Sequence, residues 1–115
     1  MNNRFTGHVD IIGQGPPLLC LAGFGSSNWL FETLAEQLKE HYQLILPDNR
    51  GMGQSPPAST PYGLEDLAED ALNLMDDLGH ERFTVIGLSM GGFIAQLLTL
   101  SAPSRVAALV LLCTS

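Results

Sequence analysis

Residues 83–102 read Phe-Thr-Val-Ile-Gly-Leu-Ser-Met-Gly-Gly-Phe-Ile-Ala-Gln-Leu-Leu-Thr-Leu-Ser-Ala. Phe83 to Ile86 is a short β-rich run, and Phe93 to Ala102 is a helical pattern terminated by Pro103. Between them Gly87-Leu88-Ser89-Met90-Gly91 matches G-x-S-x-G, the pattern of a nucleophile elbow. A strand that turns at once into a helix forces its central residue into a strained backbone conformation, so residues inside the bend must lack side chains. Gly87 and Gly91 supply that room, and Gly92 is read as letting the helix approach the sheet. Such a bend lifts the Ser89 hydroxyl above the carboxyl end of a sheet. It also aims the first amides of the next helix, the positive end of its dipole, at the same point. The pentapeptide alone is weak, because small residues cluster in many turns; with a strand before it and an apolar helix after it, the signal is strong.

Outward from this stretch, β-rich runs alternate with longer helical patterns, as in a parallel sheet covered by helices. His8 to Ile12, Leu18 to Ala22, Tyr42 to Leu46 and Val106 to Cys113 are the other predicted strands. A helix of about a dozen residues is predicted from Asn28, with Leu30, Phe31, Leu34, Ala35 and Leu38 in one stripe. The clearest helix runs from Leu64 to Leu78, where Leu64, Leu67, Ala68, Ala71, Leu72, Leu74, Met75 and Leu78 share a face. The helix after Ser89 is apolar nearly all round, which predicts deep cover. The expected fold class is α/β: a three-layer α/β/α sandwich on a mostly parallel sheet.

Composition narrows the function classes. The chain has 115 residues, 45% apolar and 15% charged, which fits one domain with a sizeable core and excludes a disordered segment. The net charge of −7 predicts no nucleic-acid partner and no anionic membrane surface. Seven of the twelve acids fall between Glu65 and Glu81, read as a solvated helix flank. No run approaches the ~18 residues of a membrane span, and no secretory signal follows Met1. Cys20 and Cys113 sit in apolar runs, favouring buried thiols in a reducing compartment, so the expected localisation is cytoplasmic. They lie on strands expected to flank the elbow strand, roughly 10 Å apart, too far for a bridge. C-x-x-C, H-E-x-x-H and G-x-G-x-x-G after a strand are all missing, so neither cofactor nor metal is expected.

A tetrahedral intermediate of acyl transfer needs two donors at its oxyanion. The Met90 amide follows the nucleophile, and the Gly-rich turn Gly23-Phe24-Gly25 after the second strand offers the Phe24 amide. A bare strand-to-helix turn is the competing reading of those glycines, and the elbow outweighs it.

Together these features resemble the first half of an α/β-hydrolase of the enol-lactonase, esterase and C–C-bond hydrolase type. Four agree in order: Gly23-Phe24-Gly25, Asp48-Asn49-Arg50-Gly51-Met52-Gly53-Gln54-Ser55 (the family's D-x-R-G-x-G-x-S), the Leu64–Gly79 helix, and Gly87-Leu88-Ser89-Met90-Gly91-Gly92. The resemblance implies Ser89 as nucleophile and Phe24 and Met90 as oxyanion-hole amides. It implies a structural loop at Asp48 to Ser55, tied down by Arg50, and a scaffold helix from Leu64. Phe24, Met52 and Met90 are expected to line the acyl side, with Trp29 read as core packing. The family's usual His before the first Gly is Ala22 here, and its first strand is reduced to the few residues before Gly7. The family's triad acid follows the seventh strand and its histidine the eighth, whereas this sequence stops at about the sixth.

No resident histidine is expected to serve as base. His80 precedes the elbow strand, roughly 17–20 Å from the bend. His41 precedes its own parallel strand, on the same wrong side. His8 lies on the outer strand, which the family's strand order puts three spacings, roughly 14 Å, from the elbow strand. The expected function is therefore that of residues 1–115 of an α/β-hydrolase domain, cleaving an ester, thioester, lactone or C–C bond of a small molecule through an acyl-enzyme at Ser89. The alternative is an inactive, truncated or partner-completed module. The all-apolar strand Val106 to Cys113, last in the sheet, predicts self-association through that edge.

Overall fold

The structure, a computed structural model, describes residues 5–22, 31–48 and 62–112. Strands β1 (Val9–Gly13), β2 (Pro17–Leu21), β3 (Gln43–Pro47), β4 (Phe83–Leu88) and β5 (Val106–Leu112) form one sheet in the order β1-β3-β2-β4-β5. β1 runs antiparallel to β3, and every other pairing is parallel. Helices α1 (Glu32–Leu38), α2 (Leu64–Asp77) and α3 (Met90–Ser101) cover it.

Side chains alternate across a strand, and that alternation splits the core into two layers. Leu19, Leu21, Ile45 and Val85 face α2 and α3, packing with Leu67, Ala68, Ala71, Leu74 and Met75 of α2 and Ile94, Ala95 and Leu98 of α3. The intervening residues Leu18, Cys20, Leu44, Leu46 and Ile86 face the other way, onto Phe31 and Ala35 at α1. The three-layer sandwich of the sequence reading is thus the observed architecture.

α2 forms from Leu64, one residue inside the expected end at Leu78, because its apolar stripe repeats at helical spacing. Asp66 closes its first turn by accepting the Gly63 N–H at 2.8 Å. The described part of α1 is seven residues long, against the dozen expected from Asn28; residues 28–30 lie outside the described ones. α3 starts at Met90 rather than Phe93, because helical geometry begins directly after the bend. It is also not covered all round. Ile94, Ala95 and Leu98 are fully buried, whereas Phe93 and Leu100 point outward, Leu100 at 79% exposure. An apolar composition cannot distinguish a helix packed on one face from one packed on all, and α3 is the former among the described residues.

β5 is the outer strand on its side, and its Val110, Leu111 and Leu112 are exposed. On the far edge, Phe5 to Gly7 form no strand. Among the described residues no helix is long and apolar enough to cross a membrane.

Candidate active site

β4 is the pivot. It lies between β2 and β5, so its carboxyl end is flanked on both sides by parallel strands. Gly87 is its penultimate residue. A Cβ there would meet Gly91 O and Gly92 Cα at 2.6 Å each, so only glycine lets the chain fold back on itself at this point. Ser89 follows with φ 58° and ψ −122°, the one non-glycine residue at positive φ among the described residues. A conformation of this kind costs of order 1–3 kcal/mol and persists only where its surroundings over-determine it.

Those surroundings are specific. The Ser89 N–H donates to the Leu112 carbonyl at 3.0 Å, and the Ser89 carbonyl accepts from the Gly92 N–H at 2.8 Å. α3 is drawn tight against the sheet by Gly91, where a Cβ would collide with the Leu21 carbonyl of β2. Gly91 thus makes the close helix-to-sheet approach that the sequence reading gave to Gly92. Leu112 was missed altogether; the available signal was its place where the last strand reaches the level of the bend.

The result is an exposed Ser89 at the carboxyl edge of the sheet, heading a twelve-residue helix with no acidic residue in its first turn. Met90 is the first helical residue and is half-buried; an N–H at that position has no intrahelical acceptor and points out of the helix end, where the dipole is positive. Phe24, Met52 and Trp29 lie outside the described residues, as do Arg50 and the rest of the loop after Asp48. Asp48 itself is buried at the end of β3, and its N–H donates to the His8 carbonyl at 3.0 Å.

The histidines stand apart from Ser89. His80 precedes β4, with Nε2 3.2 Å from Oε1 of Gln43 at the start of β3, which puts it at the amino edge of the sheet. His41 precedes β3 at the same edge. His8 lies on the outer strand as expected, but at the other edge from His41 and His80. Because β1 is antiparallel, its start lies at the carboxyl edge, level with the bend; the strand order still puts three spacings, roughly 14 Å, between β1 and β4. The His8 ring is paired with Asp10, Nε2 to Oδ1 3.1 Å. Cys20 lies within the α1-side core, and burial pushes its thiol up to about 12. Cys113 is outside the described residues. Among the described residues no group of three metal-binding side chains occurs.

The family model described as "alpha/beta hydrolase fold" matches residues 16–115. The chain belongs to the α/β-hydrolase fold family. This α/β-hydrolase is 35% identical over 108 residues to a pimeloyl-[acyl-carrier protein] methyl ester esterase of Aeromonas salmonicida strain A449, covering 93% of this chain and 41% of that protein. It is 33% identical over 95 residues to a soluble epoxide hydrolase of Corynebacterium sp. strain C12, covering 83% of this chain and 33% of the relative. Among solved structures, a hydrolase from Pseudomonas aeruginosa PA01 superposes with a TM-score of 0.88 at 35% identity, covering 93% of this α/β-hydrolase and 41% of that chain. The sequence therefore spans about two-fifths of the relatives' length. Relatives of this α/β-hydrolase include enzymes named for ester hydrolysis and for epoxide opening.

Proposed function

We propose that residues 1–115 are the nucleophile-bearing, amino-terminal part of a serine hydrolase domain acting on an ester, thioester, lactone or activated C–C bond of a small molecule. The observation that carries this reading is the exposed Ser89, held at φ 58° on the bend between β4 and the amino end of α3. In the reaction, Oγ of Ser89 attacks the substrate carbonyl carbon while its proton passes to a general base. The carbonyl π electrons move onto oxygen, and the Met90 and Phe24 amides stabilise that oxyanion. Collapse expels the leaving group, which takes the proton, and water releases the acyl group by the same steps in reverse order. Phe24, Met52 and Met90 line the acyl side.

A serine at the bend, rather than a carboxylate, favours ester chemistry over the epoxide opening named for one relative. His41 and His80 stand at the opposite edge and His8 three strands away, so base and acid come from outside these residues. Those positions also favour a second reading, in which the 115 residues by themselves form an inert module, because a triad lacking its base loses many orders of magnitude in rate.

A fluorophosphonate probe separates the readings. Labelling of a longer version that also carries the remaining three-fifths or so of its relatives' length, abolished by Ser89→Ala, is the expected result; absence of labelling in that version refutes the nucleophile assignment. Fast, Ser89-dependent labelling of the 115-residue chain would remove the inert-module reading.

Self-association through β5 completes the proposal. The Ser89–Leu112 bond and the regular register turn the backbone groups of Val110 and Leu112 toward β4 and leave those of Leu109 and Leu111 on the outer edge. Light scattering of the 115-residue chain should show dimers that Leu111→Lys weakens; a clean monomer at high concentration overturns this part.

A further inference from the structure

The two main-chain groups of Ser89 belong to different elements. Its N–H, on the Leu112 carbonyl at 3.0 Å, adds a rung to the β4–β5 ladder, whose register runs unbroken from Thr84 opposite Ala108 to Leu88 opposite Leu112. Its carbonyl, accepting the Gly92 N–H at 2.8 Å, already belongs to α3, of which Ser89 is the N-cap. The chain therefore has to change direction within one residue, and φ 58° with ψ −122° is that change. Without the hold on its N–H, Ser89 is free to relax toward negative φ, which carries its side chain off the apex of the bend.

Leu112 exerts this hold through its backbone. Its side chain is 41% exposed, so packing does not account for its place. The bond lies within the sheet, between two paired strands, and is complete whatever covers that side chain or the outer edge of β5.

The same bond decides which amide can face a substrate. Two N–H groups flank the Ser89 side chain, its own and that of Met90. In some serine hydrolases the nucleophile's own amide is an oxyanion donor. A backbone N–H has one proton to give, and that of Ser89 is taken by Leu112. The Met90 N–H, at the first position of α3, has no backbone acceptor among the described residues.

We propose that Leu112 is a positioning residue of the nucleophile. Its carbonyl keeps the Ser89 N–H in the ladder, which fixes the hydroxyl on the bend and withholds that amide from the oxyanion, leaving the Met90 amide as the donor on this side. The inference rests on the serine-hydrolase reading above and adds to it a contact from a strand that carries no reacting group.

The test weakens this one acceptor. Lactic acid, the α-hydroxy counterpart of alanine, placed at position 113 by nonsense suppression turns the Leu112 carbonyl into an ester carbonyl, a poorer acceptor; Cys113→Ala, with the ordinary amide, is the control. In the 115-residue control the Ser89 amide should exchange with solvent at least tenfold more slowly than an unprotected one. The ester should quicken that exchange about three- to tenfold and leave the Gly87 amide, two residues back on the same side of β4, within about twofold. In the longer version, fluorophosphonate labelling of Ser89 should slow about three- to tenfold. For an ester substrate kcat should fall while KM stays within about twofold, a split that loss of folded protein does not give, and circular dichroism checks that both chains are folded. Faster labelling would mean that the released Ser89 amide serves the oxyanion, and unchanged labelling that the bend holds without Leu112; either overturns the proposal. So does unprotected exchange at Ser89 in the control, or exchange that the ester leaves unaltered. Absence of labelling in the longer Cys113→Ala control overturns the nucleophile reading itself, and the role of Leu112 with it.

Discussion

Gly91→Ala tests the architecture of the bend directly. The added Cβ would collide with the Leu21 carbonyl oxygen, with Leu21 C at 2.5 Å and Ala22 O at 2.8 Å. All three are backbone atoms at the end of β2, a central strand, so no side chain can swing aside. Relief requires α3 to back away from the sheet, loosening Ile94, Ala95 and Leu98, which are fully buried on it. Overpacking of this kind costs ~1–3 kcal/mol and here meets the least yielding kind of neighbour, while alanine's better helix propensity returns up to ~1 kcal/mol. A net loss of about 2 kcal/mol, with a urea slope of ~1–3 kcal/mol/M for a domain of this size, lowers the denaturation midpoint by roughly 1 M. Gly79→Ala is the internal control. Its φ is +80° with nothing within 4 Å, so it suffers conformational strain alone, ~1–2 kcal/mol, and Gly79→Asn should recover part of that. Asparagine at Gly91 should recover nothing. A Gly91→Ala midpoint equal to or above that of the parent would refute the close approach of α3 to β2, and with it the account of why Ser89 is presented as it is.

Three further outcomes follow from the same geometry. Ser89→Gly should raise stability by about 1 kcal/mol, since glycine occupies φ 58° without strain while gaining entropy in the unfolded chain; a lower melting temperature would contradict this. In a Cys113→Ser background, Cys20 should not react with a thiol reagent at pH 8 until the chain unfolds. Burial raises its pKa from 9.0 to about 12, so its contribution to stability is present below pH 9 and falls as pH rises toward 12; urea midpoints between pH 8 and pH 10 that rise instead would contradict it. Arg105→Lys should cost about 1 kcal/mol, because one ammonium cannot replace a guanidinium that meets Asp76 and the His80 and Glu81 carbonyls while lying over Phe83; an unchanged urea midpoint would remove that clamp.

The elements most legible in the sequence are those whose residue spacing carries their geometry. α2 is the best case, since its apolar stripe and the terminating Gly79 leave little freedom. The bend was legible for a related reason. Gly87 and Gly91 lie in one pentapeptide, so the steric requirement that selects them acts within a few residues. α3 shows where spacing fails. Its outer face is as apolar as its inner one, and only the absence of a described neighbour over Phe93 and Leu100 distinguishes the two.

What stayed hidden depends on strand direction and on partners remote in sequence. β1 and β2 are joined by residues 14–16, a link short enough to suggest neighbouring strands. Yet β3 inserts between them, and the link packs on the turn after α1 instead, with the Gln14 N–H on the Lys39 carbonyl and the Gln43 N–H on the Pro16 carbonyl, both paired across that turn. A Cβ on Gly15 would collide with the His41 carbonyl, so glycine there serves this packing. That insertion turns β1 antiparallel and brings His8 to the same edge as Ser89. The Leu112 carbonyl that holds the Ser89 amide is likewise 23 residues on (112 − 89), on a strand whose register no local pattern specifies. Local sterics therefore select the residues of the bend, whereas the sheet order that decides what surrounds it was legible only through the family's strand order, and the reversed direction of β1 not at all.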